Sequence, residues 1–291
     1  MPSEAVREDP SMLIATLAFL ASTFQPAGDA ASAPAAPSES APKAAARPEG
    51  APAPGASIRL VGDPAVKPVV GAEGCQLKEM GMVVEAPLPE GYPAPTPPGM
   101  IELKTYPSVR RAEYSASGST NFGMNVGFWP LFNHIKDRNI AMTSPVEMDY
   151  RPEGDRAPLD PMKDTGGSWT MSFLYRTADL GPTGDDGRVK VVDTPEMTVI
   201  AIGMRGGYGM GSVNAGLEEL SKWFAGQSEW EPAGEPRGLN YNGPQVPQRR
   251  KWSEVQVPVR RAARKPDAAN AAPAAPVTPA VPTAPAAQSH R

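Results

Sequence analysis

Cysteine and histidine are scarce in this chain of 291 residues, which contains one Cys and two His. The cysteine is Cys75, and the histidines are His134 and the penultimate His290. One cysteine excludes an intrachain disulfide, a cysteine-based zinc site and a C-x-x-C redox pair. Two histidines exclude a histidine-rich metal site. These absences remove disulfide-stabilised, zinc-binding and thiol-redox proteins from the classes to consider.

The motifs of common enzymes are also missing. The chain has no G-x-S-x-G elbow, no P-loop and no H-E-x-x-H motif. The usual Ser-His-Asp triad is not indicated, and no spacing of Asp and Glu singles out an acid–base pair. The formal net charge of −4 is unlike the basic face of a nucleic-acid-binding protein. We therefore expect neither enzymatic activity nor a nucleic-acid partner.

Proline and alanine are concentrated in two stretches, from Pro26 to Pro98 and from Pro266 to Pro285. Both stretches contain few branched or aromatic side chains whose burial offsets chain entropy, which is typical of disordered segments. The sequence therefore predicts a disordered linker over residues 34–100, a domain over 101–261 and a disordered tail over 262–291. All five tryptophans lie in the predicted domain.

The predicted linker contains two apolar clusters, Ile58–Val61 and Met80–Val84. If the linker docks on the domain, we expect it to dock through these two clusters, and one of them can add an edge strand to a sheet. The composition favours flanks that do not dock, so we predict that removing residues 1–97 and 262–291 leaves stability nearly unchanged, because neither flank can build a core.

The N-terminal region carries a compact apolar run, Met12–Ala21. This run is shorter than the roughly 20 residues that cross a bilayer, so we expect no transmembrane span. Small residues follow it, with Ala30 or Ala33 as a cleavage position. This pattern indicates a signal peptide over residues 1–33 and a periplasmic or extracellular protein. Acidic residues cancel the one positive charge before the run, and a cytoplasmic protein with an apolar patch in a disordered arm is the alternative.

The first half of the predicted domain shows a strand-helix-strand-strand plan. Ile101–Tyr114 alternates as a strand and is broken by Pro107. The next segment predicts a helix, because apolar residues recur at helical spacing on one face: Phe128, Leu131, Phe132 and Ile135. Ile140–Tyr150 and Ser168–Arg176 are the two strands that follow, with a polar loop between them.

The second half repeats this plan. Val189–Ile202 is a strand with a proline at the same relative place, and glycines at 206–211 form the turn before a helix. The apolar face of that helix consists of Val213, Leu217, Leu220 and Phe224. Leu239–Val246 and Trp252–Val259 are the closing strands. Because neither half can cover its sheet alone, we predict one sheet or open barrel with two helices against it.

Residues that suit a ligand site lie in and after the first helix. His134 falls beside the apolar stripe, where it either reaches the rim of a cleft or complements the helix dipole. Lys136 and Arg138 either pair with ligand carboxylates or serve the dipole in the same way. Trp129 lies about 100° from the stripe and can line a cleft edge. Met142 is better explained by core packing than by ligation of an iron.

Several motifs resemble those of the SOUL, or haem-binding, protein family. Gly127–Lys136 followed by Ala141–Val146 is similar to the family's first helix and the block after it, and Tyr106-Pro107 to its first strand. The turn Arg205–Tyr208 and the segment Tyr241–Pro244 are similar to motifs further along. The resemblance covers about residues 101–260. It implies an α+β fold in which two pseudo-symmetric β-α-β-β repeats form an antiparallel, barrel-like sheet flanked by two helices.

The resemblance further implies a carrier or buffer that binds haem, or another tetrapyrrole, without a covalent bond. The ligand would lie in an apolar cleft between the first helix and the loop before the last strand. On the helix side the cleft corresponds to Phe128, Trp129, Phe132, His134, Ile135, Lys136 and Arg138. On the loop side it corresponds to Tyr241, Asn242, Pro244, Val246 and Arg249. His134 stands where many relatives have tyrosine, and it is the candidate axial ligand of the haem iron.

Two other functions remain open. Related scaffolds bind varied apolar or cationic molecules, so a binding or interaction module for a ligand other than haem is the main alternative. An enzyme that acts on tetrapyrroles is the second alternative, although the sequence offers no acid–base group for it. The expected partner is thus a small-molecule tetrapyrrole, and the sequence identifies no protein partner for the tails.

Overall fold

The computed structural model describes residues 46–263, which belong to one compact unit. The predicted signal peptide and residues 264–291 of the predicted tail lie outside the described residues. The strands are β1 Ser57–Val61, β2 Val69–Gly71, β3 Gly74–Leu77, β4 Met82–Val84, β5 Ile101–Tyr106, β6 Arg110–Ser117, β7 Val146–Arg151, β8 Ser168–Leu174, β9 Gly184–Asp186, β10 Val189–Asp193, β11 Met197–Arg205, β12 Trp230–Pro232, β13 Arg237–Asn240 and β14 Trp252–Arg261. The α-helices are α1 Thr120–Asp137 and α2 Met210–Ala225.

Eleven strands form one antiparallel sheet in the order β1-β5-β11-β14-β13-β7-β8-β6-β10-β9, with β12 paired to β14. A separate small sheet consists of β2, β3 and β4. The prediction of an α+β fold with a large antiparallel sheet and two helices is confirmed. The barrel-like closure is wrong, because the sheet ends at β1 and β9 and no strand pairing within residues 46–263 joins these edges. The pseudo-symmetry of the two halves stays a prediction.

The element boundaries follow local sequence signals. Pro107 ends β5, as predicted, since proline has no N–H for the sheet. The strand predicted from Ile140 begins only at Val146, directly after Pro145, which has no N–H for the sheet. The hydroxyls of Thr143 and Ser144 bind backbone carbonyls of other segments at 2.6 and 3.0 Å. Within the described residues, neither helix is long and apolar enough to cross a membrane.

Both helices lie on one face of the sheet, over the first hydrophobic core. Strand β11 shows the alternation that separates the two faces: Ile200 belongs to this core, whereas Val199 and Ala201 belong to a second core. From the helices, the first core receives Leu131, Ile135, Val213, Leu217 and Leu220. The periodic apolar stripes of the sequence therefore correspond to this face.

The opposite face of the sheet is covered by residues 74–98, which we call the strap. Five strap side chains are buried in the second core: Cys75, Leu77, Met82, Val84 and Leu88. The prediction of a disordered linker up to residue 100 is therefore wrong for residues 46–100. The proline-rich composition suggests disorder, but it does not prevent burial. Proline has no N–H, so a proline-rich segment can be buried without a strand partner for each residue. The strap pairs β3 with β4 internally, and Ala94 and Thr96 bond to side chains of the large sheet.

Both apolar clusters of the predicted linker dock on the domain. The first lies in β1, which pairs antiparallel with β5 and forms one edge of the large sheet. The second contributes β4, and its residues Met82 and Val84 are buried in the second core. The docking alternative for the linker is thus confirmed.

Lys104 and Glu254 form an ion pair beneath the strap. Both side chains are fully buried, with Lys104 Nζ 2.7 Å from Glu254 Oε1. The strap completes their hydrogen bonds: the carbonyl of Ala94 accepts from Lys104 at 2.7 Å, and the N–H of Thr96 donates to Glu254 at 2.6 Å. Burial by itself raises the pKa of Glu254, but the Lys104 ammonium and these hydrogen bonds outweigh it, and the pKa is lowered.

A second buried charge cluster lies on the same face. Glu147 pairs with Arg111 at 2.8 Å and also with Arg237. The hydroxyl of Tyr92, in the strap, donates a hydrogen bond to Glu147 at 2.9 Å. Burial alone raises the pKa of Asp149, but the Arg111 and Arg237 guanidinium groups reverse the effect and lower it. The strap thus closes over charges as well as over apolar side chains.

Candidate functional site

Helix α1, which carries most of the predicted site residues, begins at a cap supplied by a distant aspartate. The Asp164 carboxylate accepts hydrogen bonds from the hydroxyls of Thr120 and Ser119 at 2.7 and 2.8 Å. It also accepts one from the N–H of Asn121 at 3.0 Å. These bonds, led by that from Thr120, lower the pKa of Asp164. They satisfy donors of the first helical turn and fix where α1 starts.

One side of α1 lies close to the sheet because it carries glycine. A Cβ at residue Gly123 would lie 2.2 Å from the Trp169 ring, and one at Gly127 would lie 3.1 Å from it. Leu131 and Ile135 continue this stripe at intervals of four residues and are buried in the first core. Ile135, predicted to line the cleft, is therefore a core residue.

Phe128, Trp129 and Phe132 form what we call the α1 aromatic surface. The rings of Phe128 and Phe132 are stacked with centroids 5.7 Å apart, and Trp129 meets them edge-on at 5.6 and 6.0 Å. Phe173 of β8 packs edge-on against Phe128 at 5.3 Å and connects the cluster to the sheet. Trp129 is 56% exposed, whereas both phenylalanines are half-buried. The two phenylalanines pack against the first core, and Trp129 presents the cluster to solvent.

His134 is buried and connects α1 to the β9–β10 hairpin. Its Nδ1 lies 2.6 Å from Asp186 Oδ2, and its Nε2 lies 2.7 Å from the Tyr175 hydroxyl. The hydrogen bond from His134 is the main cause of the lowered pKa of Asp186. Because this ionised carboxylate can only accept, Nδ1 carries a proton and donates to it, while Nε2 shares a hydrogen bond with the Tyr175 hydroxyl. Both ring nitrogens are therefore engaged within the protein.

Two cations follow His134 at the end of α1. Arg138 lies 2.7 Å from Asp186 Oδ2 and strengthens the connection to the hairpin. Lys136 is exposed and makes no ion pair in the part of the chain that the structure describes. Since Lys136 follows Phe132 by four residues and Trp129 by seven, it lies on the same side of the helix as the α1 aromatic surface.

Two of the five predicted loop-side residues, Tyr241 and Asn242, contact the strap or the second core. The Tyr241 hydroxyl donates to Glu254 at 2.9 Å, and Tyr241 is buried. Asn242 donates to the Val83 carbonyl at 2.6 Å and accepts from the Trp252 N–H at 2.8 Å. Of the other three, Pro244 and Arg249 are exposed and Val246 is half-buried.

The predicted site residues thus fall into two groups. The helix group borders the first core, and the loop group is anchored to the second core by Tyr241. Between residues 46 and 263, no hydrogen bond, ion pair or ring contact joins the loop group to α1. Met142 packs against the first core, as predicted.

Sequence reasoning missed the residues that hold His134. Tyr175 follows the apolar end of β8, and Asp186 lies where β9 ends before the turn at Gly187. Neither position carries a motif, and the two are 41 and 52 residues away from His134 in the sequence. The segment between β8 and β10 contains several acidic residues, and the sequence gives no signal for which of them pairs with His134.

The chain was compared with protein-family models and with curated proteins. The model described as "SOUL heme-binding protein" matches residues 83–258. This range includes both helices, most strands of the large sheet and the second half of the strap. The comparison with curated proteins found no match.

The chain also matches several solved structures at low sequence identity. The C-terminal domain of EcmrR is 14% identical with a TM-score of 0.44, covering 55% of this chain and 96% of that one. An uncharacterised conserved protein from Listeria innocua is 14% identical with a TM-score of 0.42, covering 57% and 94%. A putative transcription regulation protein from Staphylococcus aureus is 12% identical with a TM-score of 0.34, covering 55% and 97%.

Proposed function

The chain belongs to the SOUL haem-binding protein family, and on this basis we propose that it binds haem or another tetrapyrrole without a covalent bond. In this proposal the protein carries or buffers the ligand and does not transform it. The observation that supports the proposal most is the α1 aromatic surface, whose Trp129 is 56% exposed. Soluble proteins expose large aromatic clusters mainly where they bind something.

The residues on α1 fit the porphyrin part of haem. The macrocycle is flat and apolar, and the rings of Phe128, Trp129 and Phe132 offer faces and edges for stacking. Lys136, which lacks an ion pair within the described residues, suits a propionate, whereas Arg138 is already paired with Asp186. These contacts would orient the ring on the helix and keep its carboxylates near the helix end.

The fit does not extend to His134 as axial ligand. A histidine ligand needs a free ring nitrogen, and both nitrogens of His134 are hydrogen-bonded inside the protein. We therefore propose that His134 positions the end of α1 and the β9–β10 hairpin, and that haem binding does not depend on iron ligation by His134. Haem, when bound, supplies an iron centre, and this chain's α1 residues bind and orient its ring.

The same geometry supports a second candidate, a module that binds a flat apolar ligand without metal. The observation in its favour is that both ring nitrogens of His134, the candidate iron ligand, are hydrogen-bonded within the protein. The α1 aromatic surface therefore selects a ligand for its shape and apolar area and not for iron. In that case metal-free protoporphyrin binds as tightly as haemin, or an unrelated apolar anion displaces both.

The test is a haemin titration of the full chain, followed by Soret absorbance, with metal-free protoporphyrin in parallel. Trp129→Ala should weaken binding about tenfold or more, because a large aromatic contact contributes about 1.5–3 kcal/mol. Lys136→Ala should weaken it a few-fold. The matched controls lie on α2: Trp223→Ala, which is half-buried, and Lys222→Ala, which is paired with Glu218 and Glu219.

His134→Ala separates the two roles of the histidine. We expect the Soret position of the complex to stay unchanged and the melting temperature to fall. A shifted Soret band would assign His134 to the iron and contradict our reading. Non-saturating absorbance, or equal losses in Trp129→Ala and Trp223→Ala, would remove the α1 aromatic surface as the haem site.

A further inference from the structure

A small open cavity lies away from the α1 aromatic surface, at the start of β6. Its volume is about 180 Å³, and its polar walls are Glu90, Ser108, Arg110, Arg176 and Thr177. Glu90 comes from the strap, and Arg176 and Thr177 follow β8. Pockets for drug-sized ligands usually measure about 300–1,000 Å³. This cavity therefore suits a small molecule or a single head group and is too small for a tetrapyrrole.

The two arginines of the cavity differ in what they already bind. Arg110 forms a bidentate pair with Asp193, with Nε and Nη2 at 2.8 and 2.7 Å from its carboxylate oxygens. Arg176 has no carboxylate partner in the described part of the chain. Only its Nη1 is used, in long bonds of 3.2 and 3.5 Å to the carbonyls of Leu88 and Ala72. The Nε–Nη2 edge of Arg176, which suits a planar carboxylate, is thus free.

The other polar groups of the cavity restrict the charge of the ligand. The Ser108 hydroxyl makes no hydrogen bond to any described residue, so it can donate to a ligand, whereas the Thr177 hydroxyl is bound to Asp179. Glu90 is exposed and forms no ion pair within residues 46–263. With Arg110 neutralised by Asp193, the cavity wall combines one unpaired cation with the Glu90 carboxylate, and Asp179 adds a second carboxylate behind Thr177. A ligand with a single negative charge is therefore favoured over a dianion.

We propose that this cavity binds the carboxylate of a small organic monoanion. Arg176 holds the carboxylate by its Nε–Nη2 edge, and the Ser108 hydroxyl donates a further hydrogen bond. Glu90 limits the affinity and selects against doubly charged anions such as phosphate. The site shares no residue with the α1 aromatic surface, so its occupation is independent of the proposed tetrapyrrole.

The test is an NMR titration of the full chain with sodium acetate, with sodium chloride at matched ionic strength as the reference. Saturable shifts are expected at the amides of Ser108, Thr177 and Ala178, and inorganic phosphate should bind more weakly than acetate. Arg176→Gln should weaken acetate binding about tenfold, as expected for loss of a charged bidentate hydrogen bond. Glu90→Gln should strengthen it and reduce the preference over phosphate.

Arg205→Gln is the matched control, because among the described residues Arg205, like Arg176, hydrogen-bonds to backbone carbonyl oxygen and not to a carboxylate, its acceptor being Met80. It should leave acetate binding unchanged. Arg176→Lys keeps the positive charge but removes the planar edge. If the carboxylate is held by two hydrogen bonds, this variant should recover less than half of the acetate affinity that Arg176→Gln loses. Shifts that do not saturate, or that sodium chloride reproduces, overturn the proposal. Equal losses in Arg176→Gln and Arg205→Gln overturn it as well, provided that melting temperatures show both variants folded.

Discussion

The two faces of the large sheet are built on different principles. The face under α1 and α2 is apolar, and helices that the sequence pattern predicts cover it. The face under the strap mixes apolar side chains with fully buried charges such as Lys104 and Glu254. The first face is stabilised by buried apolar area. The second depends in addition on each charge keeping its partner, because a buried charge without one is very costly.

The high proline content of the strap is compatible with its burial against the sheet. Proline has no N–H, so an extended proline-rich segment can be buried with few donors to satisfy. The donors and acceptors that it does carry meet the sheet: Thr96 donates to Glu254, and the Thr96 carbonyl accepts from the Trp252 indole at 2.7 Å. With the second face closed in this way, Trp129 on α1 is the large aromatic side chain that the described residues leave exposed.

The largest expected effect comes from removing the cover of the second face. Deletion of residues 46–98 should abolish cooperative thermal unfolding, because it exposes the second core and the buried ion pairs together. Deletion of residues 264–291 is the control and should leave the melting temperature unchanged. A normal melting transition in the first deletion would show that the strap contributes little to the fold, as the composition suggests.

Separating the members of the buried ion pair should have the next largest effect. Lys104→Met leaves the Glu254 carboxylate buried without its cation and should reduce the free energy of unfolding by about 3–5 kcal/mol. Leu103→Met, the neighbouring residue on the helix-covered face, conserves volume and should cost less than about 1.5 kcal/mol. The double variant Lys104→Met with Glu254→Gln should recover part of the loss. Denaturant unfolding measures all three.

Acid should weaken the strap-covered face before the helix-covered face. The pKa of Glu254 is lower in the folded protein than its ordinary value of 4.5. Its ionised form therefore contributes stability at pH values above 4.5, and this contribution is lost as the pH falls through the folded pKa. Asp149 behaves in the same direction. As the pH is lowered from 7, the melting temperature should fall less steeply in the Lys104→Met, Glu254→Gln double variant than in the unmodified protein. Parallel curves would show that Glu254 does not cause the acid sensitivity.

The smallest effect on stability is expected where function is proposed. Trp129→Ala should change the free energy of unfolding by no more than about 0.5 kcal/mol, because the side chain is 56% exposed. Trp169→Ala, which removes a ring that is 2% exposed in the first core, should cost about 3–5 kcal/mol. A large loss of stability in Trp129→Ala would mean that this ring serves the fold and not a ligand.

The sequence predicts the helix-covered face well because its signals are local. The stripe with Leu131 and Ile135, the break at Pro107 and the position of Trp129 off the stripe can all be read within a few residues. The strap could not be predicted in the same way. Its burial depends on contacts such as Thr96 with Glu254, which are 158 residues apart, and its composition resembles that of a disordered segment.

The candidate site shows the same limit. The aromatic residues of α1 and the nearby Lys136 follow from helical spacing and from the family motif. The engagement of His134 does not, because it depends on Tyr175 and Asp186, which the fold brings to the helix end. The expected partnership of α1 with the loop of Tyr241 also depends on which face each segment occupies, and spacing along the chain carries no such information.

The single cysteine lies in the strap and makes the opening of this face measurable. Cys75 is 1% exposed, and burial raises the pKa of its thiol to about 11. The Cys75 thiolate attacks a maleimide, or displaces iodide from iodoacetamide, so either reagent can modify the folded chain only while the strap is displaced. The alkylation rate of Cys75 therefore reports how often the strap opens, with no engineered label and no second thiol to confuse the signal.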